Sequence, residues 1–324
     1  MIFLNVIVFF VGLLLLYIGA ELLVRGSSRI ALMLRISPII VGLTIVAFGT
    51  SSPEFLVSFI AAYSGSMDVA VGNIIGSNIA NLGLVLGLSA LLRPILNLKD
   101  DIKSELYWVT VVSFVFWIFA ANNIIGRFEG FLLFAGIVVF TFLLARQSLR
   151  ERNNSISEDV PDIATGWAFI DRLSRKKRIA VFALWSFAGI AILGYGSDLT
   201  IGSAVAIAEA LGVSKVIIGL TMVAFGTSLP ELATAIISVV KKENEILIGN
   251  VIGSNLFNIL GVAGPIALFF PIPISDDLIQ SDFPIMLLFT FALFIVMLWK
   301  KRIGRIFAFI LFASYISYII SVIL

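Results

Sequence analysis

The segment GLTIVAFGTSSPE at residues 42–54 returns at 219–231 as GLTMVAFGTSLPE, with eleven of thirteen positions identical. The same offset of 177 carries GNIIGSNIAN (72–81) onto GNVIGSNLFN (249–258), seven of ten identical. It also carries Gly19-Ala20-Glu21-Leu22 onto Gly196-Ser197-Asp198-Leu199. No gap is needed between residues 19 and 81, so the chain is an internal duplication whose halves fold alike. Each copy sets Gly, Thr, Ser, Pro and Glu inside an otherwise apolar stretch. A carboxylate there is expensive, and its recurrence in the same context marks function rather than accident.

The surroundings of those motifs fix the solvent. The 324 residues are 60% hydrophobic and 13% charged, with mean hydropathy +1.10; a soluble chain carries about 25% charge. This is the composition of an integral membrane protein. Apolar runs predict helices near 2–24, 37–63, 69–95, 104–122 and 124–146, then near 179–200, 214–240, 244–270, 281–299 and 303–323. Helices are the expected form because backbone groups in lipid must pair within their own segment. The expected fold is all-α: ten transmembrane helices in two five-helix repeats, 1–146 and 179–324, joined by a 147–178 linker, with helices broken at the midplane. Residues 1–18 lack a charged leader and a cleavage signal and lead into the repeat, so they read as the first spanning helix.

Lysine and arginine set the orientation. With the N-terminus outside, 20 of the 22 basic residues fall in cytoplasmic segments and only Arg127 and Lys215 fall outside. Both termini are then extracellular and the linker cytoplasmic. Five helices per half is an odd number, so the second half enters from the opposite side. Inverted repeats of this kind are a common plan of secondary transporters, with the site at the midplane between the halves. The linker holds Glu158, Asp159 and Asp162, which read as part of a solvated connection rather than a cation sensor.

The duplicated motif predicts a site made of oxygen. Pro53 has no N–H and clashes with the preceding turn, and Gly49 permits unwinding, so the helix should break there. Carbonyls near Ala47 and Thr50 then face the break beside the hydroxyls of Thr50 and Ser51, with Glu54 one turn on. The second copy supplies Thr227, Ser228, Pro230 and Glu231, with carbonyls near Ala224. The companion motif gives Ser77, Asn78 and Asn81, and its copy Ser254, Asn255 and Asn258. Gly72, Gly76, Gly249 and Gly253 permit close backbone approach. There are no histidines or cysteines, which excludes thiolate catalysis, Ser-His chemistry and nitrogen or sulfur ligation together. Two carboxylates with hydroxyl, amide and carbonyl oxygens suit hard cations. The pair supplies a charge of −2, enough for one Ca²⁺, and Na⁺ accepts the same oxygens. Glu21 and Asp198 read as structural, Glu21 through Arg25 at i+4. Asp68, Asp276, Asp277 and Asp282 read as outer-loop acids that attract cations.

The paired GTSxPE and GNxxGSN motifs resemble the two alpha repeats of the sodium/calcium exchangers, in the calcium/cation antiporter superfamily, and the prokaryotic type in particular. The resemblance spans nearly the whole chain. It implies ten helices in two inverted halves, with four cation sites around the paired glutamates. It implies roles for Thr50, Ser51, Glu54, Ser77 and Asn81, and for Thr227, Ser228, Glu231, Ser254 and Asn258, with carbonyls of Ala47 and Ala224 joining the Na⁺ sites. It also implies that the first and sixth helices slide against the rest. The large calcium-sensing loop of animal members is missing. The expected function is Na⁺/Ca²⁺ antiport across the cell membrane by alternating access. No covalent chemistry, cofactor, nucleic acid or obligatory protein partner is implied, only the ions and the bilayer. A proton/Ca²⁺ antiporter fits less well, since those relatives carry a more acidic repeat signature; a cation channel fits inverted, broken helices poorly, and an intramembrane hydrolase lacks its motif. In the K⁺-dependent branch the position of Asn258 is typically an aspartate, so transport is expected not to require K⁺.

Overall fold

The computed structural model describes residues 2–96, 102–154, 170, 172–211 and 226–323. Ala224, Lys215, the start of the expected 214–240 helix, Lys99 and the linker acids Glu158, Asp159 and Asp162 lie outside these residues. The described chain is helical almost throughout. Its helices are α1 (Ile2–Leu34), α2 (Pro38–Thr50), α3 (Ser52–Tyr63), α4 (Met67–Leu92), α5 (Ile102–Ala120) and α6 (Arg127–Asn154). The second set is α7 (Arg175–Ala210), α8 (Leu229–Lys241), α9 (Asn244–Phe269), α10 (Leu278–Lys300) and α11 (Arg305–Ile323). Among the described residues eight helices are long and apolar enough to cross a membrane, and the bent pair α2–α3 makes a ninth candidate.

Helices α1 and α7 outrun their expected bounds most, and α6 also runs past 146 to Asn154, into the expected linker. The reading near 2–24 ends where arginines begin, yet α1 continues through Arg25 and Arg29 to Leu34. Charge alone does not stop a helix. The salt bridge from Arg25 to Glu21 at 2.5 Å supports the extra turns, and the chain leaves the helix at Arg35, which takes φ 59° just ahead of Pro38. Helix α7 likewise runs over Arg175–Ala210 rather than near 179–200. At about 1.5 Å per residue these helices are roughly 50 Å long, well beyond a hydrocarbon layer of about 30 Å.

Helices α1 and α7 pack along a glycine seam. Gly12 lies against Gly196 and Gly19 against Gly189, so numbers fall on one helix as they rise on the other and the pair is antiparallel. A Cβ at Gly12 would stand 2.4 Å from Thr200 Oγ1, and one at Gly19 2.8 Å from Leu193 N. Only glycine allows this approach. The repeat offset maps Gly12 onto Gly189 and Gly19 onto Gly196, so each glycine meets the repeat mate of its neighbour.

The core lies in α4 and α9. In these two, 83% and 89% of the most apolar stretch is buried, against 17% to 44% in the other single-helix spans. Outward faces carry large apolar side chains such as Phe3, Phe10, Phe128 and Phe142, as a lipid-facing surface requires. Two hydrogen-bonded loop pairs tie the halves together. Strand β1 (Ile124–Ile125) pairs antiparallel with β2 (Ile272–Pro273), and Ile95 exchanges backbone bonds with Ile303 at 3.0 and 2.8 Å. The offset carries Ile95 onto Ile272 and, within one residue, Ile125 onto Ile303. The two ties are therefore copies of one crossed contact.

Candidate cation site

The site begins at two matched breaks. Helix α2 contains a π-turn at Gly42–Val46 and meets α3 at a 44° bend. Ser51 at the bend has φ −86° and ψ 7°, and Ser228, its repeat mate, has φ −85° and ψ 5°. At this serine the two copies thus adopt one backbone geometry. Pro53 and Pro230 each open the helix that follows, where a missing N–H is tolerated. The break is tighter than the sequence suggests at one point. Ala47 O is not freed, since it accepts from Ser51 N at 3.0 Å, while Ser52 Oγ caps Phe48 O at 2.8 Å. A carbonyl holds a second lone pair, so Ala47 O can still take a further partner.

Glu54 and Glu231 sit in the first turns of α3 and α8, where the helix N-terminus favours negative charge. Both are fully buried, and Ser51, at the N-cap of the helix that carries Glu54, reaches across to Glu231. Neither makes an ion pair with a described residue. Ser51 Oγ donates to Glu231 Oε1 at 2.9 Å, whereas both oxygens of Glu54 and Oε2 of Glu231 lack a donor.

Helices α4 and α9 bring the amides. Both change pitch beside the site, in π-turns at Asn81–Leu86 and Phe257–Ala263 that the repeat relates. Such turns break the regular ladder and recur at functional sites. Asn81 donates to Asn255 Oδ1 at 3.0 Å, and Asn255 Nδ2 donates to Asn78 O at 3.3 Å. Asn78 itself donates back to Ile74 O at 2.7 Å, a local helix bond. Ser77 Oγ, Asn81 Oδ1, Ser228 Oγ and both polar atoms of Asn258 are buried without a partner. Each buried orphan of this kind costs on the order of 1–3 kcal/mol, and several converge here on oxygen.

Close helix approach makes the cluster compact. A Cβ on Gly249 would lie 2.5 Å from Ile39 O, and one on Gly253 2.7 Å from the Ala47 Cβ. No described residue lies within 4 Å of a Cβ built on Gly72 or Gly76. Of the twelve residues singled out from the sequence, the structure brings Ala47, Thr50, Ser51, Glu54, Ser77, Asn81, Thr227, Ser228, Glu231, Ser254 and Asn258 into buried positions along these facing helices, each at most 5% exposed; Ala224 is outside the described residues.

Sequence reasoning missed two members. Thr50 Oγ1 donates to Asn250 Oδ1 at 3.1 Å, and Thr227 Oγ1 donates to Asn73 Oδ1 at 3.2 Å. The offset maps Thr50 onto Thr227 and Asn73 onto Asn250, so these bonds again cross between the halves. The signal was present, because both asparagines follow the first glycine of the companion motif. Away from this cluster, Glu21 bridges Arg25 and Lys241, the latter at 2.7 Å, and so ties α1 to the end of α8. Asp276 accepts from Asn123 at 2.6 Å, and Asp282 lies within α10 rather than in a loop, accepting from the Tyr318 hydroxyl at 2.6 Å.

The model of the sodium/calcium exchanger protein family matches residues 4–146 and 181–324. The chain belongs to that family. It is 39% identical to the putative antiporter CaxA of Alkalimonas amylolytica over 95% of each chain. It is 31% identical to the sodium/calcium exchanger MaX1 of Methanosarcina acetivorans over 99% of each. Among solved structures, the sodium-calcium exchanger NCX_Mj, soaked with 10 mM Na⁺ and zero Ca²⁺, superposes with TM-score 0.83 at 30% identity, covering 99% of both chains. Family membership makes the chain a membrane exchanger of cations, and the buried oxygen cluster lies where the two halves of that fold meet.

Proposed function

We propose that the chain exchanges Na⁺ for Ca²⁺ across the membrane by alternating access, with Glu54 and Glu231 sharing one Ca²⁺. The observation that carries this reading is the facing pair of fully buried carboxylates with donor-less oxygens. A charge of −2 with no cationic partner among the described residues needs a cation to be tolerated in a low-dielectric interior. Thr50, Ser51, Ser77, Asn81, Thr227, Ser228, Ser254 and Asn258, with the carbonyls of Ala47 and Ala224, complete the oxygen set. Na⁺ competes for the same atoms, and the competition couples the two fluxes.

The architecture we assign is ten helices in two inverted five-helix halves. The antiparallel pairing of α1 with its repeat mate α7 and the crossed loop ties support it. The glycine seam packs α1 and α7 as a single body, which suits a sliding pair. The test is Ca²⁺ uptake by the reconstituted chain with Na⁺, K⁺ or H⁺ gradients imposed one at a time. Uptake driven by an outward Na⁺ gradient alone is expected. Uptake driven only by protons would replace Na⁺ with H⁺ as counter-ion, and uptake without any counter-ion would make the chain a channel.

A further inference from the structure

Thr50 Oγ1 has one proton to donate and several oxygens within reach. Ala47 O lies at 3.4 Å, Ser254 Oγ at 3.5 Å and Asn250 Oδ1 at 3.1 Å. The shortest of these contacts is to Asn250, which is fully buried and comes from the opposite half. A hydroxyl that donates there keeps its oxygen lone pairs for another partner and leaves Ser51 Oγ as the hydroxyl donor to Glu231. Thr227 makes the equivalent choice at Asn73.

We propose that Asn73 and Asn250 are positioning residues of the cation site. Each accepts the hydroxyl proton of the threonine from the opposite half and so turns that oxygen's lone pairs toward the transported ion. The inference rests on the antiport reading above. The two asparagines are not equivalent. Asn73 Nδ2 donates to Ser58 Oγ at 2.9 Å and to Glu54 O at 3.2 Å, so Asn73 also braces the turn that carries Glu54. The repeat mate of Ser58 is Ala235, and Asn250 Nδ2 is buried without a partner. Asn250 therefore acts through Thr50 alone and is the cleaner probe.

The experiment is a double-mutant cycle on the full chain in proteoliposomes, reading the half-saturating Ca²⁺ concentration of Na⁺-driven uptake. Asn250→Leu is expected to raise it about tenfold, the scale of one lost hydrogen bond, with the maximal rate little changed. Thr50→Val removes the oriented oxygen itself and is expected to raise it at least as much, and the double variant to be no worse than Thr50→Val alone. Multiplying effects, or an unshifted Ca²⁺ dependence in Asn250→Leu, would overturn the proposal. Asn250→Ala removes the same acceptor without bulk and serves if the leucine variant does not assemble. If neither gives monodisperse protein, Asn250 is an assembly residue and the proposal fails. Stabilisation of the purified protein by added Ca²⁺ must follow the same ranking. Wild type that binds Ca²⁺ in that assay but shows no Na⁺-driven uptake would refute the antiport reading, and the binding ranking would still decide the role of Asn250.

Discussion

At the scale of single residues, the behaviour of the site follows from charge count. Removing either carboxylate leaves a doubly charged ion half neutralised in a buried site, at a cost of several kcal/mol. Glu54→Gln and Glu231→Gln are each expected to abolish Na⁺-driven Ca²⁺ uptake while the protein still purifies as a folded species. Normal uptake by either variant would show that the ion does not sit between them. Asn258 carries the second argument at this scale. It is fully buried, both of its polar atoms lack partners, and it is neutral. A carboxylate there would add a third negative charge and call for a further monovalent cation beside Ca²⁺. With asparagine the pair of glutamates balances Ca²⁺ alone, so uptake is expected to persist when choline replaces K⁺ on both sides. Loss of uptake restored by K⁺ would refute this, and Asn258→Asp is expected to alter the Na⁺ or Ca²⁺ dependence.

At the scale of elements, the seam between α1 and α7 is the contact that tolerates least. Gly19 meets backbone atoms of Leu193 and Gly189 below 3.0 Å from any added Cβ, so a larger side chain must push the helices apart. Overpacking of this kind costs about 1–3 kcal/mol. Gly19→Leu is expected to lower the thermal unfolding midpoint and slow uptake. Gly194→Leu, on the same seam helix but with no described residue within 4 Å, is expected to change neither. Equal effects at both positions, measured by thermal unfolding in detergent, would remove the seam from the account.

At the scale of the molecule, the distribution of basic residues predicts both termini outside and the 147–178 linker inside. The chain has no native thiol, so single cysteines report cleanly. In intact cells an impermeant thiol reagent is expected to label Ser275→Cys and to spare Ser155→Cys. The opposite pattern would invert the molecule. That outcome would leave the site unchanged, because the crossed contacts hold in either orientation. It would exchange only which end of the α1–α7 pair, with its Glu21–Lys241 tie, faces the cytoplasm.

Periodicity, composition and duplication were enough to determine the membrane class, the helical build, the break at Gly49–Pro53 and the buried glutamates. These depend on local chemistry: a proline removes a donor wherever it stands, and an apolar run of about 20 residues needs lipid. The extent of α1 was not legible, because arginines mark an interface only when the helix ends there, and here Glu21 lets it continue. Nor was the seam of Gly12, Gly19, Gly189 and Gly196, since glycine spacing does not say which helix approaches. The roles of Asn73 and Asn250 were invisible for the same reason. The repeat shows that they recur, but only the packing of α2 against α9 brings Thr50 within 3.1 Å of Asn250. Distances between halves are set by how the helices pack, and no residue encodes them alone.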